Sequence, residues 1–217
     1  MITTDSPVTF GMVGARPVFM DERDDSYFML EPAHEAKFLE LADEWSRIAP
    51  PLRRALGLSD QDSFPQHACF RGFTSSLLEQ LPVHGGANAA DLLRCALALR
   101  SARGMLKTQS IQAVLDSVLR VRSADPPSGA RLIAQASRCL AARRYLPVKP
   151  NCLLDSLALM RFLGPLAVGT TLIFGVKLEP FAAHCWVQFE SLLLNDRSDY
   201  VERFVPVRTV TCLAATH

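Results

Sequence analysis

The sequence has no apolar run approaching the roughly 20 residues that a membrane-crossing helix needs, which argues against a membrane span. Its first ten residues, MITTDSPVTF, have neither a basic n-region nor an apolar h-region, so no signal peptide is expected and a cytoplasmic location follows. There is no CxxC pair. The six cysteines, Cys69, Cys95, Cys139, Cys152, Cys185 and Cys212, are scattered without a framework. In a reducing compartment that pattern reads as free thiols, most of them small buried hydrophobes. A zinc site from His184, Cys185 and Cys212 lacks ligand spacing, so no metal is expected. There is no internal repeat and no low-complexity tract. The arginines of the second half are spread along helices and form no stripe for nucleic acid.

What is present describes a globular chain of 217 residues, 49% hydrophobic and 21% charged. Charge is unevenly placed. Residues 1–85 hold 7 Lys/Arg and 13 Asp/Glu, a net −6, whereas residues 86–217 hold 16 and 9, a net +7. Such asymmetry fits two units, 1–85 and 86–217, that attract each other or a partner.

The first unit begins with three short apolar runs, Val8–Val13, Pro17–Asp21 and Ser26–Leu30, separated by Gly14-Ala15-Arg16 and by Glu22-Arg23-Asp24-Asp25. These predict three strands. Ala33, Ala36, Phe38, Leu39, Ala42 and Trp45 then fall on one helical face, with Pro32 in the first turn and Pro50-Pro51 as the stop. Further helices are expected at Leu52–Leu58 and Ala68–Gln80. Pro82 and Gly85-Gly86 mark a boundary.

The second unit reads as helical at Ala89–Lys107, Gln109–Val121 and Ala130–Tyr145. Asp125-Pro126-Pro127-Ser128-Gly129 breaks the last two apart, with Ser128 as a candidate cap. Tyr145–Pro150 must be extended between its two prolines. Cys152–Leu163 is a helix closed by Gly164-Pro165. Strand periodicity follows at Thr170–Lys177, His184–Glu190, Leu192–Asn195 and Phe204–Thr211. The fold class expected is α+β.

Three positions combine into chemistry. Cys152 opens a helix, where unpaired N–H groups and the helix dipole favour a thiolate. His184 begins a strand 32 residues later, and Asp196 ends the next one, 12 residues further on. In antiparallel neighbours the three become nucleophile, base and orienting carboxylate of acyl transfer. Taken singly, each has a plainer reading as buried thiol, core histidine or turn, and order and spacing raise them together. Cys185, adjacent to His184, points to the other strand face and reads as core. His34, His67, His84 and His217 have no evident catalytic companion.

Asn151-Cys152-Leu153, Phe174-Gly175-Val176, Pro180-Phe181-Ala182-Ala183-His184-Cys185-Trp186-Val187 and Leu194-Asn195-Asp196 together resemble the lasso-peptide leader peptidases, the B proteins of lasso-peptide biosynthesis. The resemblance covers about the last third of the chain. It implies a transglutaminase-like, papain-related catalytic fold of helices and antiparallel sheet, with Cys152, His184 and Asp196 as the triad of a cysteine peptidase. Three departures stand out: Leu154-Asp155 where a basic residue is frequent, Gln188 where an acidic one is common, and Glu190-Ser191 in place of a glycine.

Pro17–Asp21 and Tyr27–Pro32, followed by a helix, are similar to leader-recognition domains related to the PQQ-biosynthesis D protein. That similarity implies a winged-helix-like unit of three strands and three helices. A precursor's leader would add as a strand along Ser26, Tyr27, Phe28, Met29 and Leu30 and pack against the third helix. The resemblance to the leader peptidases also implies a small β-branched pocket near Cys152 for a Thr one residue before the cut. An asparagine-synthetase-like lasso cyclase would be the partner, and any ATP dependence would enter through that cyclase, with no cofactor bound by this chain. The residues alone leave two other readings open: another Cys-His-Asp acyltransferase or amidase, and a non-catalytic leader-binding scaffold.

Overall fold

A computed structural model describes residues 6–40, 50–59, 65–80, 87–121 and 128–214. Trp45, His84, Gly85-Gly86, Asp125-Pro126-Pro127 and His217 lie outside these residues. The architecture mixes α and β, as the sequence predicts, around a four-stranded and a five-stranded sheet with a further two-stranded pair.

Strands β1 (Val8–Val13), β2 (Arg16–Asp21) and β3 (Ser26–Phe28) form an antiparallel meander. The tight turns need left-handed backbone, which Gly14 supplies at φ 63° and Asp25 at φ 50°. Helix α1 (Pro32–Glu40) starts on its proline, and α2 (Pro50–Ala55) starts on Pro50-Pro51. Phe10, Phe19 and Phe38 meet at the centre of this unit, and Phe38 stands edge-on to both other rings.

The expected helix over Ala68–Gln80 is corrected. Strand β4 (Gln66–His67) runs parallel to β1, residues 68–74 have no helix, and β5 (Ser75–Ser76) pairs with a strand of the other sheet. Only α3 (Leu77–Gln80) is helical. Phe70 and Phe73 have helix-like spacing, yet they serve an extended segment: both pack on the cluster around Trp186, and Phe70 meets the indole edge-on. Among the described residues the third helix of the N-terminal unit is thus confined to Leu77–Gln80.

Helices α4 (Ala89–Thr108), α5 (Ile111–Leu119), α6 (Gly129–Arg143) and α7 (Cys152–Leu163) follow. Asn88 caps α4 by accepting the Asp91 N–H at 2.8 Å. Ser128 stands at the start of α6 but makes no side-chain cap bond. The Asp91 carboxylate, itself buried, pairs with Arg138 at 2.9 Å and ties α4 to α6. Helix α7 is the central element. Eight of its side chains are buried, from Leu154 to Leu163, and each large apolar one contributes about 1.5–3 kcal/mol by leaving water. Gly164, at φ 56°, ends it before a 3-10 turn over Gly164–Ala167. Among the described residues no helix is long and apolar enough to cross a membrane.

Between α5 and α6 lies β6 (Arg120–Val121). After α7 come β7 (Thr170–Leu178), β8 (Phe181–Phe189), β9 (Leu192–Leu193), α8 (Ser198–Val201), β10 (Val205–Thr211) and β11 (Leu213–Ala214), which pairs with β6. The larger sheet has the order β10-β7-β8-β9-β5. Its β8–β9 turn lacks the glycine common at that place, and Glu190 takes the left-handed conformation instead at φ 53°. Gln188, the second departure, donates from Nε2 to the Arg71 carbonyl at 2.9 Å and so fastens the 68–74 segment to the sheet.

The two sheets meet through β1 and β10. A Cβ on Gly11 would stand 2.1 Å from the Pro206 carbonyl oxygen, so the backbones touch where a side chain would be. Beside that contact Arg208 of β10 forms a buried ion pair with Glu22. Val18 and Met20 belong to the same buried cluster as α4, α6 and α7.

Candidate active site

Cys152 is the first residue of α7. Asn151 precedes it with extended backbone and accepts the Leu154 N–H at 2.9 Å. Asp155 returns the interaction by accepting the Asn151 N–H at 3.0 Å, a reciprocal cap on the helix start. This explains the acid in Leu154-Asp155: it closes the cap and pairs with Arg143 at 2.7 Å. Arg143 also donates to the Leu146 and Val148 carbonyls and holds the extended approach to Cys152. The N–H groups of Cys152 and Leu153 keep no partner among the described residues and point out of the helix start.

His184 sits in the middle of β8, opposite Gly175 of β7, and not at the strand's start. Residues Phe181–Ala183 extend the pairing ahead of it. Gly175 is small for a reason: a Cβ there would lie 2.8 Å from the Trp186 ring. The imidazole is walled by aromatics, with ring centroids of Tyr200 at 5.0 Å, Phe204 at 5.1 Å and Trp186 at 6.1 Å. Its Nε2 meets Asp196 Oδ2 at 2.5 Å, which leaves Nδ1 for the Cys152 sulfur. Asp196 follows β9, and its other oxygen accepts the Arg197 N–H at 2.8 Å, so both carboxylate oxygens are fixed.

The three residues singled out in the sequence thus converge. Burial disfavours an imidazolium at His184, but hydrogen bonds to Asp196 and Cys152 and their negative charges outweigh it and raise its pKa to about 9. Cys152 is held down to about 4, first by a hydrogen bond from the Cys185 thiol, then, against the opposing effect of burial, by His184 and the Cys185 N–H. A thiolate–imidazolium pair is the result.

Several supporting residues carry no signal in the sequence. Ser76 donates to the Asp196 carbonyl at 2.5 Å, and Glu79 accepts the Ser198 N–H at 2.8 Å. The 75–79 segment therefore braces the turn that presents Asp196. Asn195 accepts the Val187 N–H at 2.8 Å through Oδ1. Cys185 is buried as expected, and its thiol donates to Ser156 Oγ at 3.8 Å. Of the strand residues at 26–30, Tyr27 has its ring 6.3 Å from Phe181, and burial first, then the negative charges of Asp25 and Cys152, raise its pKa above the usual range. Ser26 and Phe28 complete β3, and Met29 and Leu30 follow it. Among the described residues no cluster of three or more His, Cys, Asp or Glu side chains could hold a metal.

Residues 92–209, more than half of the chain and including all three candidate residues, match the family model of the Transglutaminase-like superfamily. The chain belongs to the transglutaminase-like superfamily. Its typical Cys-His-Asp chemistry covers cysteine peptidases and acyltransferases, and Cys152, His184 and Asp196 fall in that order. No curated protein and no solved structure matches.

Proposed function

We propose that this protein is a cysteine peptidase that binds the leader of a ribosomally made precursor peptide and removes it during lasso-peptide maturation. One observation carries the reading beyond the superfamily. The smaller sheet ends at β3, which among the described residues has no second strand partner, and β3 brings Tyr27 to Phe181, three residues before His184. A leader added to that edge, along Ser26–Leu30, would run beside the thiol. Main-chain pairing would supply affinity and side-chain pockets register. Residues 1–85 would thus capture the substrate and residues 86–217 would cut it.

In this reading the Cys152 thiolate attacks the scissile carbonyl carbon. The N–H groups of Cys152 and Leu153 face the oxygen as it gains charge. The tetrahedral intermediate collapses to a thioester when His184 Nδ1–H protonates the leaving amine. Water, deprotonated by His184, then hydrolyses the thioester and frees Cys152. The released core would pass to an asparagine-synthetase-like cyclase, where any ATP would be used.

The test follows leader release by mass spectrometry, with the intact protein and a lasso precursor. Cleavage by wild type, none by Cys152→Ala, and a large loss of kcat/KM for a substrate cut short of its leader are the expected results. Equal turnover of full and leaderless peptides would return the protein to the acyltransferase or amidase reading. Full cleavage by Cys152→Ala would end the assignment.

A further inference from the structure

A basic groove runs along α4 and ends at the helix that carries the nucleophile. Three adjoining cavities form it. The first, of about 500 Å³, lies between α4 and the end of α7, with Arg94, Arg100 and Arg161 around Leu97, Ala98 and Phe162. Arg100 also lines the second, of about 380 Å³, together with Leu99, Arg103 and Val148. Arg103 in turn lines the third, of about 370 Å³, which adds Lys107 and Lys149 and reaches Asn151 and Leu154. Asn151 directly precedes Cys152. From Arg94 to Lys107 the helix rises about 20 Å, the reach of about six extended residues.

Among the described residues no carboxylate lines any of the three. Two of the cations are anchored. Arg94 donates to the Phe162 carbonyl at 3.2 Å and lies 4.5 Å from the centre of its ring, and Arg161 reaches the Met105 sulfur at 3.3 Å. Arg100, Arg103, Lys107 and Lys149 are exposed and have no ion pair or side-chain hydrogen bond among the described residues. Arg100 and Arg103 are three residues apart and Arg103 and Lys107 four, spacings at which like charges on a helix repel. A merely solvated face would alternate signs; this one keeps a repulsion that an anionic ligand removes. Its apolar lining, with Leu97 56% exposed, asks for apolar groups on the same ligand.

We propose that this groove binds an acidic stretch of the substrate peptide, on the side of the scissile bond away from the leader. The leader on β3 meets Phe181 of β8, whereas the groove comes to Asn151 from α4. One chain crossing Cys152 uses both. Carboxylates meet the arginines and lysines, and apolar side chains cover Leu97 and Leu99 between them. A polyphosphate backbone would match the charges and leave those leucines uncovered. The inference rests on the leader-peptidase reading.

The probe is a fluorescein-labelled peptide of about ten residues, three Glu and two Leu among glycines, compared by fluorescence anisotropy with its Glu→Gln counterpart. Each exposed ion pair contributes little alone. Three together are expected to make the Glu peptide bind about tenfold tighter, a margin that shrinks as salt rises. Arg100→Ala/Arg103→Ala should abolish the preference without lowering the unfolding temperature, because both residues are exposed and alanine favours helix. Bound Glu peptide should also slow iodoacetamide alkylation of Cys152 several-fold, read by mass spectrometry. Without peptide, the double variant should keep the acid limb of the alkylation pH profile. Equal affinity for the two peptides, or a preference that survives the double variant, overturns the proposal. So does binding that leaves Cys152 alkylation unchanged, which would put the groove outside the peptide's path. Tighter binding of a single-stranded oligothymidine, lost in the same variant, would make it a nucleic-acid site instead. Leader release by Cys152→Ala would defeat the peptidase reading and leave the anisotropy result untouched, so the two failures are distinct.

Discussion

Cys152→Ala is expected to lower peptide-bond cleavage by about 10⁴-fold or more, and His184→Ala by a comparable factor. The two act as one unit: the imidazolium is formed by the proton the thiol gives up. A Cys152→Ala/His184→Ala double variant should therefore be no slower than the worse single variant, within about tenfold. The pH dependence follows from the two shifts. Below about 4 the Cys152 thiolate takes up a proton and the nucleophile is lost. Above about 9 His184 gives up its proton, and the leaving amine loses its acid. A bell-shaped kcat/KM profile bounded by these limbs is the expected outcome. In His184→Ala the alkylation limb of Cys152 should climb toward the ordinary thiol value of about 8.5, checked by the growing rate of carbamidomethylation. Single variants that multiply independently, or a Cys152→Ala protein within tenfold of wild type, would remove the pair from the mechanism.

How much of this could be read from the chain depends on where each residue's partner lies. Helix α7 matches the expected Cys152–Leu163 to the residue, and β1 matches Val8–Val13, because Asn151, Gly164 and Gly14 mark their ends locally. That Cys152, His184 and Asp196 would come together was legible for a similar reason: order, spacing and element type all lie within residues 151–196. The segment 68–80 was misread because Phe70 and Phe73 answer to Trp186, and Ser75-Ser76 to Leu192-Leu193, both far along the sequence. Local periodicity cannot see such partners. Cys185 shows a subtler limit. Alternation places it in the core, away from His184, and the structure agrees. Yet its carbonyl and its thiol both meet Ser156, one turn after Cys152 on α7, so "other face" does not mean "away from the helix that carries the site". Asn195 likewise carries a turn signal, while its side chain bridges β8 and α7.

Gly11→Ala should be the most damaging glycine-to-alanine change among the described glycines. The added Cβ would sit 2.1 Å from the Pro206 carbonyl oxygen and 3.2 Å from a Val207 methyl, and a backbone oxygen cannot rotate aside. One sheet must move off the other. That motion loosens the buried Glu22–Arg208 pair and exposes part of the surface that Val18 and Met20 bury against the helical core. A loss of about 3 kcal/mol is expected, at the upper end for overpacking because the clash is with main chain, and read as a lower denaturation midpoint. Gly104→Ala is the control: it lies within α4 with nothing within 4 Å, so it should hold or gain up to about 1 kcal/mol. The consequence also reaches the site. Tyr27 rides on the displaced sheet, so the wall it forms with Phe181 beside Cys152 shifts with it. Gly11→Ala protein that remains folded should keep its alkylation limb, which His184 and Cys185 set from within the larger sheet, while losing kcat/KM on a full-length precursor. An unchanged midpoint in Gly11→Ala would mean that the two sheets are not locked through β1 and β10. Loss of the alkylation limb would mean that the N-terminal sheet supports the thiolate itself rather than the substrate beside it.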